Sequence, residues 1–490
     1  MSIALMAKRK GSPCQKEDHF EGTKRVKSSV PDLPQEIWHD IHSLLPLRDA
    51  ARAGCVSHAF LDSWRWHPTL TLNPKTLGLS GQNFINKVDQ IMKKHSGIGI
   101  GIKSFKLHHY GSRIHASKLN NWLRIAVTPE IHELKLSLPT VGKAQLYNFP
   151  CPLLFAGSAG NRIRDLQLAN CAFHPVAGLG CLTRLYLSNV HITGDELRCL
   201  LSNSFVLEEL SLNHCSEIMR LKIPCLLHRF TNLTVFDCRA LEIIENEAPN
   251  LCTVLIDTDI VHKSIGYSLQ VKHLEMFCAV EFNLVHHVRA KLPASMPNLE
   301  TLSISSAGEM FSTPSVPGKF LLLKHLDICL EVAIGAFSPD YDYFSLAFFL
   351  DACPILENFN LDVIQTRMRH DSIFEDSSQL RQMVGHRHDN IKTVKITGFC
   401  SAKSMVELTC HIVENATSLE CLTLDTIAEN GLSDDVRLSM HEIGECPPIC
   451  RHMIGEAQRA LLAMERYIVG KVPSTVKLNI KKPCSWCHAR

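Results

Sequence analysis

The sequence predicts an α/β protein in which a small N-terminal helical bundle precedes a curved solenoid with parallel strands. Two observations lead to this fold class. A short aliphatic pattern recurs about thirteen times from residue 100 onward, and the stretch from Leu33 to Pro46 has the apolar spacing of an amphipathic helix. We expect five parts: a disordered basic arm over 1–30, the bundle over 31–72, a connecting segment over 73–100, the solenoid over 101–430, and a C-terminal cap with a helix and a strand over 431–490.

The charge and the cysteine content favour an intracellular protein. A net charge of +2 over 490 residues predicts binding neither to nucleic acid nor to a membrane surface. The 20 cysteines lack the spacing of a disulfide framework, which favours a reducing compartment. Apolar runs such as Tyr343 to Leu350 fall far short of the roughly 20 residues that span a bilayer. We therefore expect the protein in the nucleus, the cytoplasm or both.

Two basic clusters lie in the N-terminal arm, which is polar and lacks periodicity. The clusters, Lys8 to Lys10 and Lys24 to Lys27, resemble a bipartite nuclear import signal. A solvated charged tail explains them equally well, because short basic runs are frequent in disordered termini.

The predicted first helix has a single apolar face, on which five residues recur at the helical period: Ile37, Trp38, Ile41, Leu44 and Leu45. Pro34 suits the first turn, and Pro46 ends the helix. Two more short helices are predicted in the following LRDAARAGCVSHAFLDSW. A bundle of about forty residues is near the lower size limit for independent folding. Its apolar face must therefore dock on the rest of the chain or on another protein.

The recurring pattern is an aliphatic residue, two variable residues, an aliphatic, one variable residue and an aliphatic. Clear copies begin at Ile163, Leu182, Leu207, Leu299, Leu323 and Leu419, and weaker ones at Ile102, Ile131, Leu233, Leu251, Val271, Leu356 and Ile391. The last two aliphatics are two residues apart and so share one face of a strand. Connectors between copies include a helix with Thr193 as its candidate N-cap. This is the leucine-rich-repeat signature, in which stacked units bury a shared core.

The residues between the aliphatics face the concave side of such a solenoid, where we expect a protein to bind. The candidate binding residues are Asp165, Gln167, Arg184, Tyr186, Glu209, Asp237, Arg239, His273, Glu275, His325 and Asp327, and the same face includes Ser211, Asn358, Asn360, Lys395 and Thr397. Their chemistry is mixed, without a stripe of one charge or of aromatics. This favours recognition of a protein over a phosphate backbone, although a solvated strand face explains any single position as well.

No catalytic motif is present in the sequence, and we predict neither enzymatic activity nor a cofactor. Gly97, Gly99 and Gly101 have the wrong spacing for a phosphate-binding loop and fit a turn before the first repeat. The alternative to a protein without metal is a zinc site made by four thiolates near the C-terminus, those of Cys446, Cys450, Cys484 and Cys487. Nothing in the sequence brings the two cysteine pairs together.

The segment from Leu33 to about Leu72, with its LPQEIWHDIHSLLPLRDAARAGCVSHAFLDSW, resembles the F-box. The stretches HDNIKTVKITGFCSAKSMVELTCHIVENATSLECLTLDT and GKVPSTVKLNI resemble the C-terminal region of plant F-box and leucine-rich-repeat proteins of the FBD-like type, with the FBD-like region at about 385–430. The resemblance implies that the bundle docks on a Skp-type adaptor of a cullin ubiquitin ligase. It also implies that the repeats hold a protein substrate.

The adaptor-facing residues implied by this resemblance are Leu33, Pro34, Ile37, Ile41, Leu45, Pro46, Val56 and Trp64. The chain then acts without chemistry of its own, as the substrate-recognition subunit of the ligase. The alternative is a leucine-rich-repeat scaffold that binds a partner without ubiquitin transfer.

Overall fold

The structure is a computed structural model of the whole chain. It describes Pro34, Ile37, Asp40, Ile41, Leu44, Leu45, Leu47–Ala53 and Cys55, and then residues 67–96, 101–111, 113–140, 146–155, 162–257, 270–278, 283–331, 341–364, 370, 372–375, 379–383, 387–427 and 451–483. No helix in these ranges is long and apolar enough to cross a membrane.

In the described part of the chain, the fold is built on one sheet of fifteen parallel strands, which neighbour each other in chain order. We number them β1 Thr69–Leu72, β2 Ser104–His108, β3 Glu133–Ser137, β4 Asp165–Ala169, β5 Arg184–Ser188, β6 Glu209–Asn213, β7 Asn232–Phe236, β8 Thr253–Asp257, β9 His273–Cys278, β10 Thr301–Ser306, β11 His325–Glu331, β12 Asn358–Ile364, β13 Thr393–Thr397, β14 Cys421–Asp425 and β15 Lys477–Lys481. The predicted α/β solenoid with parallel strands is therefore confirmed.

Each strand buries alternate residues, as the two-residue spacing of the aliphatics requires. Leu166, Leu185 and Leu210 lie opposite one another on β4, β5 and β6, and all three are fully buried. A single hydrophobic core runs from β1 to the last helix. Since every unit covers only its neighbours, no repeat buries its own aliphatics alone.

Helices and irregular segments connect the strands and cover the buried face. The helices are α1 Leu47–Ala53, α2 Pro74–Leu77, α3 Gly81–His95, α4 Ala116–Ala126, α5 Pro152–Phe155, α6 Gly194–Ser202, α7 Leu284–Ser295, α8 Ala347–Asp351, α9 Lys403–Asn415 and α10 Arg451–Tyr467, with 3-10 turns at Tyr343–Leu346 and Val469–Lys471. Two short parallel strand pairs lie outside the main sheet, Tyr147–Asn148 with Cys171–Ala172 and Arg220–Ile223 with Ile243–Asn246.

The predicted N-cap at Thr193 is confirmed. The Thr193 hydroxyl accepts from the Glu196 N–H at 3.3 Å, and the Glu196 carboxylate accepts from the Thr193 N–H at 2.8 Å. This reciprocal pair satisfies two backbone donors that the first turn of α6 leaves open. It also fixes where the chain leaves strand β5 and enters the connector.

The sheet begins earlier than residue 101, where the sequence placed the start of the solenoid. Strand β1 pairs in parallel with β2, although Thr69–Leu72 was expected at the end of the bundle. Helix α3 lies within the expected connecting segment. The pattern missed β1 because His67, which is buried, stands where the repeat normally has its first aliphatic residue.

One repeat has a different register from the predicted one. The copy expected to begin at Leu233 instead buries Phe230, Leu233 and Val235, and its strand β7 ends at Phe236. The prediction that Asp237 and Arg239 lie on the strand is therefore wrong. A phenylalanine at the first aliphatic position concealed the true start of this copy.

The chain turns sharply after several strands, in the left-handed region of backbone space. Asn170, Asn189, His214 and Asp237 each follow the last residue of a strand and have φ between 46° and 60°. Asparagine and aspartate tolerate this region better than most residues. The Asn189 amide donates to the Asn170 side-chain oxygen at 2.7 Å, and Asn170 donates to the Leu138 carbonyl at 2.6 Å, so these turns are linked from repeat to repeat.

A buried carboxyl group lies at the start of helix α7. Glu309 is fully buried, and its Oε1 accepts from the Val285 N–H at 2.6 Å. Its Oε2 has no hydrogen-bond partner among the described residues. Burial outweighs the helix hydrogen bond and raises the pKa of Glu309 to about 7.

We expect Glu309→Gln to be more favourable for stability, relative to the wild-type protein, at pH 8 than at pH 5. The folded state holds the Glu309 proton up to a higher pH than the unfolded chain does, so the wild-type protein loses stability as pH rises towards 7. Glutamine removes this term and keeps an acceptor for Val285. The difference in the free energy of unfolding between wild type and Glu309→Gln should change by roughly 2 kcal/mol from pH 5 to pH 8. Urea unfolding at each pH measures it. An equal difference at both pH values would contradict the assignment.

Candidate functional site

Three exposed apolar side chains lie in the described part of the N-terminal bundle. Ile37 and Ile41 are 43% and 40% exposed, and Leu44 is 85% exposed. Ile37 and Ile41 are helical residues, and Leu44 follows one turn later. Their spacing of four and three residues places them on one side of the helix. We call Ile37, Ile41 and Leu44 the N-terminal apolar stripe.

Other residues of the bundle attach it to the first strand. In helix α1, Ala50 is fully buried and Leu47 packs on the hydrophobic core. His67, two residues before β1, places its Nε2 at 2.9 Å from the Leu45 carbonyl oxygen. Among the described residues of the bundle, these contacts to the solenoid come from residues after the stripe, whose side chains stay exposed.

The predicted adaptor-binding residues divide into three groups. Pro34, Ile37 and Ile41 are exposed, whereas Leu45 is half-buried and takes part in the attachment to His67. The remaining predicted positions lie outside the described residues: Leu33, Pro46, Val56 and Trp64. Leu44, the most exposed member of the stripe, lies on the predicted helix face but was not among the predicted adaptor-binding residues.

The second candidate surface is the face of the main sheet opposite the buried aliphatics, which we call the open face. Nine of the eleven predicted substrate-binding residues lie on its strands, namely Asp165, Gln167, Arg184, Tyr186, Glu209, His273, Glu275, His325 and Asp327. Asp237 and Arg239 lie just beyond β7, where Arg239 Nε donates to the Asp237 carboxylate at 2.7 Å.

Paired charges cover the N-terminal part of the open face. Lys106 and Lys135 approach the Glu133 carboxylate at 2.8 and 3.1 Å. Burial opposes the ionisation of Glu133, but hydrogen bonds from Lys106, Ser104 and Lys135 outweigh it and lower the pKa of Glu133 to about 2. The next strands continue the pairing, since Arg184 lies 3.0 Å from Asp165.

The same pairing extends to strand β6. The Tyr186 hydroxyl donates to the Glu209 carboxylate at 2.7 Å. Burial, together with this hydrogen bond, raises the pKa of Tyr186. With each charge near an opposite one, this part of the face presents a polar surface without a dominant sign.

An aromatic cluster lies in the middle of the open face. The Phe236 and Phe277 rings, from β7 and β9, have centroids 5.9 Å apart and planes inclined by 28°. Since β8 separates the two strands, the rings meet across it over Asp257, which pairs with Phe277, follows the partner of Val235 and is 6% exposed. The His214 ring lies 6.1 Å from Phe236. We call Phe236 and Phe277 the aromatic cluster.

Sequence analysis missed this cluster and predicted no aromatic stripe on the face. Phe236 was missed because the register of its repeat was wrong. Phe277 was missed because it follows the last aliphatic of its copy, outside the positions that the pattern defines. The signal that was available is the alternation in NLTVF, where Asn232, Thr234 and Phe236 share one face.

Hydrogen bonds from amide and hydroxyl side chains join the later strands of the open face. The Asn358 amide lies 2.8 Å from His325 Nδ1, and the Asn360 amide donates to the Asp327 carboxylate at 2.5 Å. Thr393 donates to the Asn358 side-chain oxygen. These cross-strand bonds link the polar side chains of β11, β12 and β13 to one another.

Comparison with known proteins identifies both regions. The F-box domain matches residues 30–71, and the family described as "At1g61320/AtMIF1, LRR domain" matches residues 91–485. The chain is 22% identical over 432 residues to the Arabidopsis thaliana "Putative FBD-associated F-box protein At1g61330", covering 82% of this chain and 92% of the relative. It is 27% identical over 242 residues to the Arabidopsis "Putative F-box/FBD/LRR-repeat protein At4g03220", covering 45% of each.

A solved structure of an internalin from Listeria monocytogenes aligns with 71% of this chain and 89% of its own at 12% identity, with a TM-score of 0.33. The F-box match and the repeat solenoid define an F-box protein with leucine-rich repeats. Specifically, the chain belongs to the At1g61320/AtMIF1 leucine-rich-repeat family, whose model covers most of its length.

The four cysteines considered as a zinc set, Cys446, Cys450, Cys484 and Cys487, lie outside the described residues. Their zinc binding stays a prediction from sequence.

Proposed function

We propose that this protein is the substrate-recognition subunit of an SCF-type E3 ubiquitin ligase. In this role the F-box binds a Skp-type adaptor, which joins it to a cullin-RING ligase, and the repeat domain binds a protein substrate. The observation that carries the proposal is an F-box whose described apolar stripe is exposed while Leu47 and Ala50 of helix α1 are packed against or buried in a repeat solenoid. We further propose action in the nucleus or cytoplasm, as the basic clusters of the arm and the cysteine content favour.

The exposure of the stripe supports an adaptor partner. Apolar residues normally lie inside small bundles, and a contiguous exposed set marks an interaction surface. Ile37, Ile41 and Leu44 are exposed although other residues of the bundle reach the core of the solenoid. A second protein that covers them completes the burial that this chain alone leaves open.

The aromatic cluster supports protein binding on the open face. Aromatic side chains are enriched at the centres of protein interfaces, and polar residues form their rims. Phe236 and Phe277 lie at the middle strands of the sheet, between the charged N-terminal part and the hydrogen-bonded later strands. We propose that this cluster is the centre of the substrate interface.

The protein then contributes position and no chemistry of its own. Binding the adaptor and the substrate at once raises the local concentration of the substrate near the charged conjugating enzyme. The rate of ubiquitin transfer follows from that concentration, so the chain needs no nucleophile or general base.

Purification of the tagged full chain from plant cells tests this proposal. We expect a Skp-type adaptor and a cullin to co-purify in fixed proportion, and substrates to accumulate when the ligase is blocked. The alternative, a scaffold without ubiquitin transfer, predicts stable partners whose abundance does not change on that block. Absence of both adaptor and cullin from the purified complex would exclude the ligase role.

For the substrate surface, Phe277→Ala should weaken partner binding about tenfold, which is the usual loss for an interface aromatic. The measurement is the dissociation constant for a substrate found by proximity labelling with a ligase-dead complex. The matched control is Phe205→Ala, because Phe205 is an exposed phenylalanine that lies outside the strands. Equal binding by wild type and Phe277→Ala would remove the cluster from the interface.

A further inference from the structure

A cluster of buried metal-ligating side chains lies among the connectors of the later repeats. It comprises Asp351, His388 and His411, whose ligand atoms all lie within 4.8 Å of one another. Asp351 ends helix α8, His388 precedes strand β13, and His411 lies in helix α9. These segments lead into β12, β13 and β14, so the cluster joins three successive repeats.

The two imidazole rings face each other through their Nε2 atoms, which are 3.1 Å apart. The Asp351 Oδ1 lies 3.8 Å from His388 Nε2. The His388 side chain is 3% exposed and His411 is 4% exposed, whereas the Asp351 side chain is 17% exposed. Two nitrogen ligands are thus enclosed, and the carboxylate lies on the side nearest to solvent.

We propose that Asp351, His388 and His411 bind a zinc ion that ties the connectors of these three repeats together. Zinc takes imidazole nitrogen at about 2.0–2.1 Å and carboxylate oxygen at about 2.0–2.2 Å in a tetrahedral arrangement. Such bond lengths place neighbouring ligand atoms roughly 3.3 Å apart. The two nitrogens are slightly closer than this, the Asp351 oxygen is 3.8 Å from His388 Nε2, and all three ligand atoms lie within 4.8 Å of one another. Small side-chain rotations then bring all three onto one ion.

The donor set selects the metal. Two imidazoles favour zinc and similar transition metals, whereas magnesium and calcium prefer oxygen ligands. Three protein ligands leave a fourth position, which water fills from the partly exposed side of Asp351.

The surroundings hold the rings in place before the metal binds. The His388 backbone N–H donates to the Asn415 backbone carbonyl at 3.0 Å. The Phe344 ring meets the His411 ring edge-on, with centroids 5.9 Å apart. The Asn415 side-chain amide lies 3.2 Å from His411 Nδ1 and donates to the His411 carbonyl at 2.8 Å. Asn415 and Phe344 thus limit the motion of the His411 ring, and the backbone hydrogen bond to Asn415 anchors the chain at His388.

Metal binding changes the role of Asn415. While the Asn415 amide donates to Nδ1, His411 carries its hydrogen on Nε2 and donates it to His388. Zinc on Nε2 requires the hydrogen on Nδ1, and rotation of the Asn415 amide then presents its oxygen as the acceptor. Since this rotation gives up the bond to the His411 carbonyl, we expect weaker binding than at a site with four protein ligands.

Cobalt substitution tests the proposal on the full chain, purified without a histidine tag and stripped with a chelator. We expect one equivalent of Co²⁺ to give the visible absorption of a tetrahedral site without a thiolate charge-transfer band. His388→Gln and His411→Gln should each lose that equivalent, and Asp351→Asn should weaken it. The matched control is His95→Gln, because His95 is buried in helix α3 away from the cluster.

X-ray absorption of the zinc-loaded wild-type protein keeps the proposal testable if a variant fails to fold. A first shell of nitrogen and oxygen supports the site. A sulfur shell alone would place the metal on cysteines instead and overturn the proposal. No retained metal, or an unchanged cobalt spectrum in His411→Gln, would reduce the cluster to a hydrogen-bonded histidine pair.

Discussion

Aspartate in place of Leu44 should reduce the affinity for a Skp-type adaptor by more than about a hundredfold, which amounts to complete loss of co-purification. The Leu44 side chain is the most exposed of the N-terminal apolar stripe, so the folded chain alone gains little from it. In a complex the same side chain is expected to enter an apolar contact. A carboxylate at that position loses its hydration without a partner, which costs several kcal/mol.

Ile41→Asp should have the same effect on adaptor binding for the same reason, but with a small loss of stability. Ile41 is 40% exposed, so more than half of its surface already contacts the chain. Comparing the two variants therefore separates the interface from the fold. Leu44→Asp should lose the adaptor at unchanged thermal stability, whereas Ile41→Asp should lose the adaptor and also a small part of its thermal stability.

Leu462→Asp is the matched control for these two variants. Leu462 lies in helix α10 and is 57% exposed, so aspartate there introduces the same charge on an exposed apolar position far along the chain. It should leave adaptor binding unchanged in calorimetry or in co-purification. If Leu44→Asp and Ile41→Asp retain the adaptor with wild-type affinity, the stripe is not the docking surface.

The sequence predicted the repeats because each aliphatic position reports burial directly. In the copy that begins at Ile163, Leu166 and Leu168 lie two apart and mark the strand. This pattern predicts the strand in every copy that has an aliphatic residue three positions before the first of the two strand aliphatics. It failed at β1 and β7, where His67 and Phe230 occupy that earlier position and are buried all the same. A core tolerates these side chains when neighbouring repeats shape the space around them, which a local pattern does not encode.

The functional surfaces were harder to predict than the fold. Asp165 was predicted to face a partner, yet it is almost fully buried beneath Lys135 and Arg184 from the adjacent strands. The histidine cluster had no sequence signal, because His388 and His411 come from different repeats with no ligand spacing between them. Contacts across strands depend on register, and register becomes visible only once the repeats are stacked.

The second large effect is expected at Gly398, where alanine should cost about 3 kcal/mol or more. Gly398 follows strand β13 with φ of 65°, a conformation that costs most residues about 1 kcal/mol. A Cβ there lies 2.0 Å from the Val363 carbonyl oxygen of the neighbouring strand β12. Because that atom is backbone, β12 and β13 must move apart and their hydrogen bonds must lengthen.

Gly78→Ala isolates the cost of the backbone angle, since Gly78 has φ of 64° and nothing within 4 Å of an added Cβ. We expect a loss of about 1 kcal/mol there and a larger one at Gly398, both measured by urea unfolding.

Hydrogen exchange then shows where Gly398→Ala acts. Each repeat contacts only its neighbours, so protection should fall in β12, β13 and β14 and stay unchanged in β2 to β6. Uniform loss of protection would instead show that the solenoid unfolds as one unit. Because His388 and His411 flank this same turn, local loosening should also release a metal bound between them. Gly398 and the histidine cluster therefore lie in the same three repeats, those of β12, β13 and β14.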